Sequence, residues 1–173
     1  PTLHIDSLPA DTTSAKAEFE QDELTHPMKV LADLGQVGLL RIFALRAQDL
    51  HPEPKRTAVL AQALVDMGYR EVALRVAKQA SYNNILYLSF THPMIPVPAY
   101  HGPGNGPEPA MVLGLIRQET EFDPWSVSGP GARGVMQIMP AGAQHDSDLA
   151  GVAYRPNDLL GDTTYNMQLG MAE

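Results

Sequence analysis

The sequence contains no cysteine, so disulfide bonds and thiolate chemistry are excluded. It also lacks any apolar run of the roughly 18 residues that a membrane-spanning helix needs. Basic residues are in the minority, with 12 Lys and Arg against 20 Asp and Glu, which gives a net charge of −8. This charge argues against non-specific binding to nucleic acid, which requires a basic face. It remains compatible with an uncharged polymer recognised by shape and hydrogen bonds.

Several familiar site patterns are missing as well. The six histidines include no pair at metal-ligand spacing, so no metal site is predicted. GPGARG (129–134) matches the dinucleotide-binding pattern G-x-G-x-x-G. A dinucleotide site needs a strand before this pattern and a long helix after it. Here an Asp-Pro turn precedes the pattern, and the apolar stretch that follows stops at Pro140. No cofactor is therefore predicted. The polar cluster 145–148 (HDSD) is expected to be solvated.

Hydrophobic residues make up 44% of the chain and charged residues 18%, which is typical of a globular protein. Apolar residues recur at spacings of three and four over 29–50, 55–69 and 70–90. Proline or glycine separates these stretches, so we predict a mainly α fold of packed helical hairpins. Six prolines and three glycines occur in 91–109, which predicts an irregular strap and a domain boundary there.

A helix is predicted over 110–122, and Glu119 lies on its apolar face, about 340° around the helix from Val112. A carboxylate buried among apolar side chains is desolvated, which favours the protonated form that a general acid needs. The alternative is a buried structural Glu paired with a cation such as Arg133 or Arg155. The geometry leaves both interpretations open.

The glycine-rich loop after this helix predicts a tight backbone path beside a cleft. Within it, VMQIM (135–139) is expected to be a short extended stretch in which Gln137 is the one polar group. A single Gln in such a position is more often a satisfied structural residue than a ligand contact.

The segment RQETEFDPWSVSGPGARGVMQIMPAGAQ (117–144) resembles the signature of soluble lytic murein transglycosylases, roughly R-Q-E-S-x-F-x-P-x-A-x-S-x-x-G-A-x-G-L-M-Q-x-M-P-x-T-A. YNMQLGMAE (165–173) is similar to the later N-x-x-x-G stretch of the same domain. The preceding helices resemble the family's α-superhelical region by architecture only. The resemblance implies a superhelix-like segment over 1–101 with the strap at its end. It assigns 102–173 to the N-terminal portion of a lysozyme-like α+β catalytic domain, whose remainder is expected beyond Glu173.

Residue by residue, the resemblance makes Glu119 the single catalytic acid/base. It places Ser128, Gln137 and Met139 along the glycan cleft, where contact with substrate becomes the favoured interpretation of Gln137. It implies neither cofactor nor metal. Two departures stand out: Thr120 replaces the usual Ser but keeps the hydroxyl, and Trp125, the only tryptophan, replaces a small polar residue and either stacks on a sugar or packs.

The implied reaction is cleavage of the β-1,4 bond between N-acetylmuramic acid and N-acetylglucosamine in peptidoglycan, leaving 1,6-anhydro-muramic acid ends. The implied partners are glycan strands, with room for cell-wall proteins, and the implied location is the periplasm, with no signal peptide in this sequence. Two alternatives remain: a goose-type lysozyme-like hydrolase, and a non-catalytic helical scaffold that binds glycan or a partner protein.

Overall fold

A computed structural model of the protein describes residues 6–173. The chain forms two compact units, Pro1–Pro93 and Met94–Glu173. The predicted division into a superhelix-like segment (1–101) and a catalytic domain (102–173) assigns functions to the two parts. That division stays a prediction. Within residues 6–173, every helix is too short or too polar to cross a membrane.

Six helices lie within the described part of the first unit, residues 6–93. They are α1 (Thr13–Gln21), α2 (Thr25–Asp33), α3 (Val37–Leu50), α4 (Pro54–Asp66), α5 (Arg70–Ser81) and α6 (Leu88–Thr91). Helix α2 packs on α3, α4 packs on α5, and α1 and α3 pack on α4 and α5 respectively. Short connections that bring neighbouring helices together are what the apolar periodicity predicted. The mainly helical fold class is therefore confirmed.

Buried ion pairs connect the ends of these helices. Asp22, just after α1, accepts a hydrogen bond of 2.7 Å from the Arg56 guanidinium at the start of α4. His51, which follows α3, places its Nε2 2.9 Å from the same carboxylate oxygen. Because Arg56 and Asp22 are both almost fully buried, removing either one would leave the other with a weaker partner, His51 for Asp22 or Glu18 at 3.9 Å for Arg56, and is expected to be destabilising.

The buried polar residue Gln48 is the weak point of the first core. It is 1% exposed on α3, and neither polar atom of its amide has a hydrogen-bond partner among the described residues. A buried amide that lacks partners is costly, and an apolar side chain of similar shape avoids this cost. We expect Gln48→Met to stabilise the chain by about 1 kcal/mol, measured by urea unfolding followed by far-UV circular dichroism. Gln62→Met is the control, because Gln62 is exposed and already bonds to Asp66; an equal gain there would contradict the explanation.

The second unit has less regular structure. Its helices are α7 (Pro109–Glu119), α8 (Ala143–Ala150), a short 3₁₀ helix (Pro156–Leu159) and α9 (Thr163–Gly170). The proline-rich stretch before α7 contains neither helix nor strand in its described residues from 94 onward, as its composition predicted. Among residues 6–173, β structure is limited to two isolated bridges, Val127 with Arg133 and Arg133 with Ile138. These bridges lie in the glycine-rich loop, between α7 and α8.

Candidate active site

Glu119 is the last residue of α7, and its side chain is exposed. The expectation that the helix would desolvate it is therefore wrong. The helix buries Val112, Leu113 and Ile116, whose directions span an arc of about 100°. Glu119 projects about 20° outside that arc, at the end of the helix, because neighbouring segments cover only part of the apolar face. Its carboxylate makes no hydrogen bond or ion pair with any residue in 6–173, so it is not the paired structural Glu of the alternative interpretation.

The helix ends three residues earlier than predicted. Glu121 and Phe122 both adopt left-handed backbone conformations, with φ of 54° and 67°. Such conformations are unfavourable for non-glycine residues and persist only where surrounding contacts hold them. One such contact is Phe122 itself, which is 7% exposed and so anchors the turn in the core. The chain therefore reverses directly after Glu119.

Thr120 ties this end of the helix to the glycine-rich loop. The residue is buried, and its hydroxyl lies 3.0 Å from the carbonyl oxygen of Val135 and 3.3 Å from that of Ile116. The hydroxyl that Thr120 shares with the usual serine is thus a structural donor. It holds the backbone next to Glu119 against the loop that carries Ser128, Gln137 and Met139.

Ser128 closes a tight turn inside that loop. Its backbone N–H donates to the Ala132 carbonyl at 3.0 Å, and its side-chain oxygen accepts from the Ala132 N–H at 2.9 Å. Two further backbone bonds of 2.9 Å each pair Arg133 with Ile138. The glycine-rich segment therefore has a defined path. The Ser128 hydroxyl hydrogen is not used as a donor within the turn.

Gln137 was predicted to lie on an extended stretch, but the structure places it in a turn. It has a left-handed φ of 56°, and its side-chain nitrogen donates to the carbonyl oxygens of Gly134 at 2.8 Å and Ser126 at 3.4 Å. The amide group therefore stabilises the turn, while its carbonyl oxygen is still able to accept a hydrogen bond. Met139 follows at 43% exposure, so its side chain is accessible.

Asn166 fixes the loop from the opposite side, although no role was predicted for it beyond its place in the N-x-x-x-G stretch. It is 1% exposed on α9. Its side-chain oxygen accepts from the Met136 N–H at 2.8 Å, and its nitrogen donates to the carbonyl oxygens of Arg133 at 2.9 Å and Leu159 at 3.0 Å. One buried side chain thus joins the loop, α9 and the 3₁₀ helix, with every bond made to backbone.

The polar cluster 145–148 is not solvated throughout, contrary to expectation. On α8, Asp146 and Ser147 are 6% and 0% exposed, because this face packs into the second unit. The Ser147 hydroxyl donates to the Gln144 carbonyl at 2.7 Å. Burial raises the pKa of Asp146 above its ordinary value, and the nearby His145 partly opposes this shift.

This raised pKa predicts a pH-dependent cost at Asp146. The folded state binds the proton more tightly than the unfolded state, so the contribution to stability is present below the unfolded pKa and is lost as the pH rises through the folded pKa. Asp146→Asn should therefore raise the melting temperature at pH 7, and the difference from wild type should shrink towards pH 3. Asp148→Asn, on the exposed face of α8, is the matched control. A pH-independent difference would contradict the desolvation of Asp146.

Among residues 6–173, no group of three or more His, Asp or Glu side chains is placed to hold a metal ion. The geometry instead offers one exposed carboxylate, Glu119, at a helix end that Thr120 fixes to a well-ordered loop. Three of the four residues singled out in the sequence, Ser128, Gln137 and Met139, lie in that loop or at its end.

Residues 100–172 match the family model described as the transglycosylase SLT domain. No curated protein sequence matches the chain. Several solved structures do match the chain. The 70 kDa soluble lytic transglycosylase of Escherichia coli superposes with a TM-score of 0.69 at 21% identity, over 99% of this chain and 27% of that protein. An inactive mutant of the lytic transglycosylase Slt from Pseudomonas aeruginosa gives 0.70 at 22% identity, over 98% and 26%.

A complex of the 70-kDa soluble lytic transglycosylase with bulgecin A also matches, with a TM-score of 0.70 at 22% identity over 99% of this chain and 27% of that one. The chain thus spans about a quarter of the length of the solved structures it resembles. These structures share its fold, and the family model covers the segment that carries Glu119 and the loop. Residues 100–172 are therefore similar to a transglycosylase SLT domain, and the chain shares the fold of part of the solved lytic transglycosylases.

Proposed function

We propose that the second unit acts as a lytic transglycosylase on peptidoglycan, with Glu119 as its single acid/base. The observation that carries this proposal is the placement of Glu119 inside the SLT segment. Its carboxylate is exposed and unpaired among the described residues, on a backbone that the Thr120 hydroxyl bonds to the glycine-rich loop. A general acid must reach the substrate oxygen, so exposure in the absence of substrate is what this role requires.

In the proposed reaction, Glu119 protonates the glycosidic oxygen as the bond between that oxygen and C1 of the muramyl residue breaks. The 2-acetamido group of the same sugar assists at C1, replacing the second carboxylate that most glycosidases use. Glu119 then removes the proton from the muramyl 6-hydroxyl, whose oxygen bonds to C1. The proton lost by Glu119 is thereby restored, and a 1,6-anhydro ring closes without water as a reactant.

Because Glu119 is exposed, the folded chain alone does not remove water from its carboxylate. Since α7 does not bury the carboxylate, we infer that the glycan strand itself covers it when bound. A substrate that displaces water strengthens every electrostatic interaction at the reacting atoms. The activation barrier for cleavage of the glycosidic bond would then fall only when substrate is bound.

The loop residues take supporting roles in this proposal. Ser128 keeps its hydroxyl hydrogen for a donor bond to the glycan, because the turn uses only its oxygen. Gln137 keeps its carbonyl oxygen as an acceptor, since its nitrogen is bonded to the loop. Met139 offers an exposed, adaptable apolar surface against which a sugar ring packs.

We propose that the first unit is part of a superhelix-like segment that precedes the catalytic domain, as the resemblance implies. We propose the periplasm as the location, because peptidoglycan lies there and not in the cytoplasm. Partner proteins of the cell wall fit this placement.

The test is mass spectrometry of the soluble products after the chain is incubated with purified peptidoglycan, with Glu119→Gln in parallel. Muropeptides that end in 1,6-anhydro-muramic acid, formed by the wild type alone, would support both the reaction and the role of Glu119. Reducing ends without anhydro product would favour the goose-type lysozyme-like hydrolase. Retention of glycan without cleavage by either protein would favour the binding scaffold.

A further inference from the structure

We propose that Trp125 is the base of a second carbohydrate contact, which holds one neutral pyranose ring of the glycan independently of bond cleavage at Glu119. The Trp125 platform is defined as Trp125 together with Asp158 and residues 160–164, which line one open groove. The inference rests on the proposed function for the nature of the ligand, but its geometry is a separate observation.

The indole of Trp125 is unusually exposed. It is the only tryptophan in the chain and has 64% of its surface in contact with solvent. An isolated structural Trp gains stability by burying its large apolar area, and this one does not. A ring left open in this way contributes little to stability, and its apolar area remains available to a ligand.

The backbone that carries the ring and the segment beside it are nevertheless held in place. The six-membered part of the ring lies over Gly161, where an added Cβ would come within 2.6 Å of the indole Cη2, and Gly161 has a φ of +83° that suits glycine alone. The Gly161 backbone N–H donates to the Pro124 carbonyl at 3.0 Å, and the backbone N–H of Trp125 donates to Asp123 Oδ1 at 2.9 Å. One edge of the indole therefore lies close to Gly161, while most of the ring stays exposed and accessible to a ligand.

Two hydrogen-bonded carboxylates line the same groove as the ring. The Arg155 guanidinium bonds to Asp158 at 2.6 Å and reaches Asp162 at 3.3 Å, while Asp162 also accepts from the Tyr165 N–H at 2.9 Å. Arg155 in turn lies 4.2 Å above the centre of the Tyr165 ring. Both carboxylates are thus oriented and retain lone pairs, which accept hydrogen bonds from hydroxyl groups.

A pyranose has the complementary chemistry. Its C–H-rich face suits the negative face of an aromatic ring, and its equatorial hydroxyls reach acceptors at the edge. The groove has a volume of about 560 Å³, which accommodates one sugar and its neighbours along a strand. Two carboxylates, those of Asp158 and Asp162, line the groove and no Lys or Arg does, and the whole chain carries −8, so an anionic ligand is disfavoured. The favoured occupant is an uncharged ring such as N-acetylglucosamine.

The single tryptophan makes the platform directly observable. We would titrate the full chain with chitotetraose, an uncharged oligomer of N-acetylglucosamine, and follow the fluorescence of Trp125 and its quenching by acrylamide. We expect a saturable change in emission and protection from the quencher. Glu119→Gln should respond in the same way, whereas Gly161→Ala, which displaces the indole but keeps it in the chain, should lose the response.

A second pair of variants covers the case in which Gly161→Ala perturbs folding. Trp125→Ala alters an exposed side chain and should weaken chitotetraose binding about tenfold by calorimetry, while Tyr154→Ala, at an exposed tyrosine outside the groove, should not. Saturable binding with no change in Trp125 emission would overturn the inference, as would a response to an acidic stem peptide but not to the sugar. Emission changes without anhydro product would instead count against the proposed reaction and leave the platform standing.

Discussion

Glu119→Gln is expected to lower the rate of peptidoglycan cleavage by about 10³-fold while leaving the melting temperature unchanged. The amide neither donates a proton to the leaving oxygen nor removes one from the 6-hydroxyl, so both halves of the proposed reaction stop. Stability is unaffected because the carboxylate is exposed and makes no bond to any described residue. The measurement is the initial rate of anhydro-muropeptide release, with kcat falling more than KM.

Glu121→Gln is the matched control, since it changes a second carboxylate two residues away. Glu121 lies in the left-handed turn after α7 and has no role in the proposed chemistry. Its rate should stay within a few-fold of wild type. If Glu119→Gln and Glu121→Gln were equally active, a different group would have to supply the proton.

Gly134→Ala is expected to destabilise the second unit by about 3–5 kcal/mol, which lowers its melting temperature by more than about 10 °C. An added Cβ would lie 2.3 Å from both the side-chain nitrogen of Asn166 and the carbonyl oxygen of Leu159. Neither atom is able to yield cheaply, because Asn166 is committed to three hydrogen bonds and Leu159 O is backbone. The φ of +73° at Gly134 adds backbone strain.

Two other glycines of the same loop separate these causes. Gly131→Ala meets nothing within 4 Å but has a φ of +99°, so it should cost only the backbone term, about 1 kcal/mol. Gly129→Ala has neither a close neighbour nor a positive φ and should be nearly neutral. Thermal unfolding followed by Trp125 fluorescence reports on the second unit in all three variants. Equal losses at the three positions would mean that the Asn166 contact does not set the requirement for glycine.

Helix positions were largely predictable because they follow from local periodicity. The spacing of apolar residues in 29–50 predicted helical structure, and the structure divides that stretch at Gly35, where φ is +65°. The end of α7 was not predictable in the same way. The left-handed turn at Glu121 and Phe122 is stabilised by contacts across the second unit, and no local preference of these residues favours it.

The candidate site was likewise predictable from the sequence only in part. Its residues were named from the motif, but the placement of Asn166 depends on bonds to residues 30 and 33 positions away. Asp146 illustrates the opposite error, since a run of polar letters suggested a solvated cluster whereas packing of α8 buries two of its members. Burial of a polar residue depends on what covers its face, and the sequence pattern does not contain that information.

By itself, the sequence determined the helical character of the chain, the absence of thiol chemistry, and the motif through which Glu119 and the loop resemble an SLT domain. These depend on composition and on spacing between neighbours along the chain. Only the tertiary structure decided that Glu119 is exposed, that Thr120 and Asn166 hold the loop, and that Trp125 rests open on Gly161. Each of these depends on contacts between segments distant in sequence, because such contacts determine which part of a helix face or loop is covered.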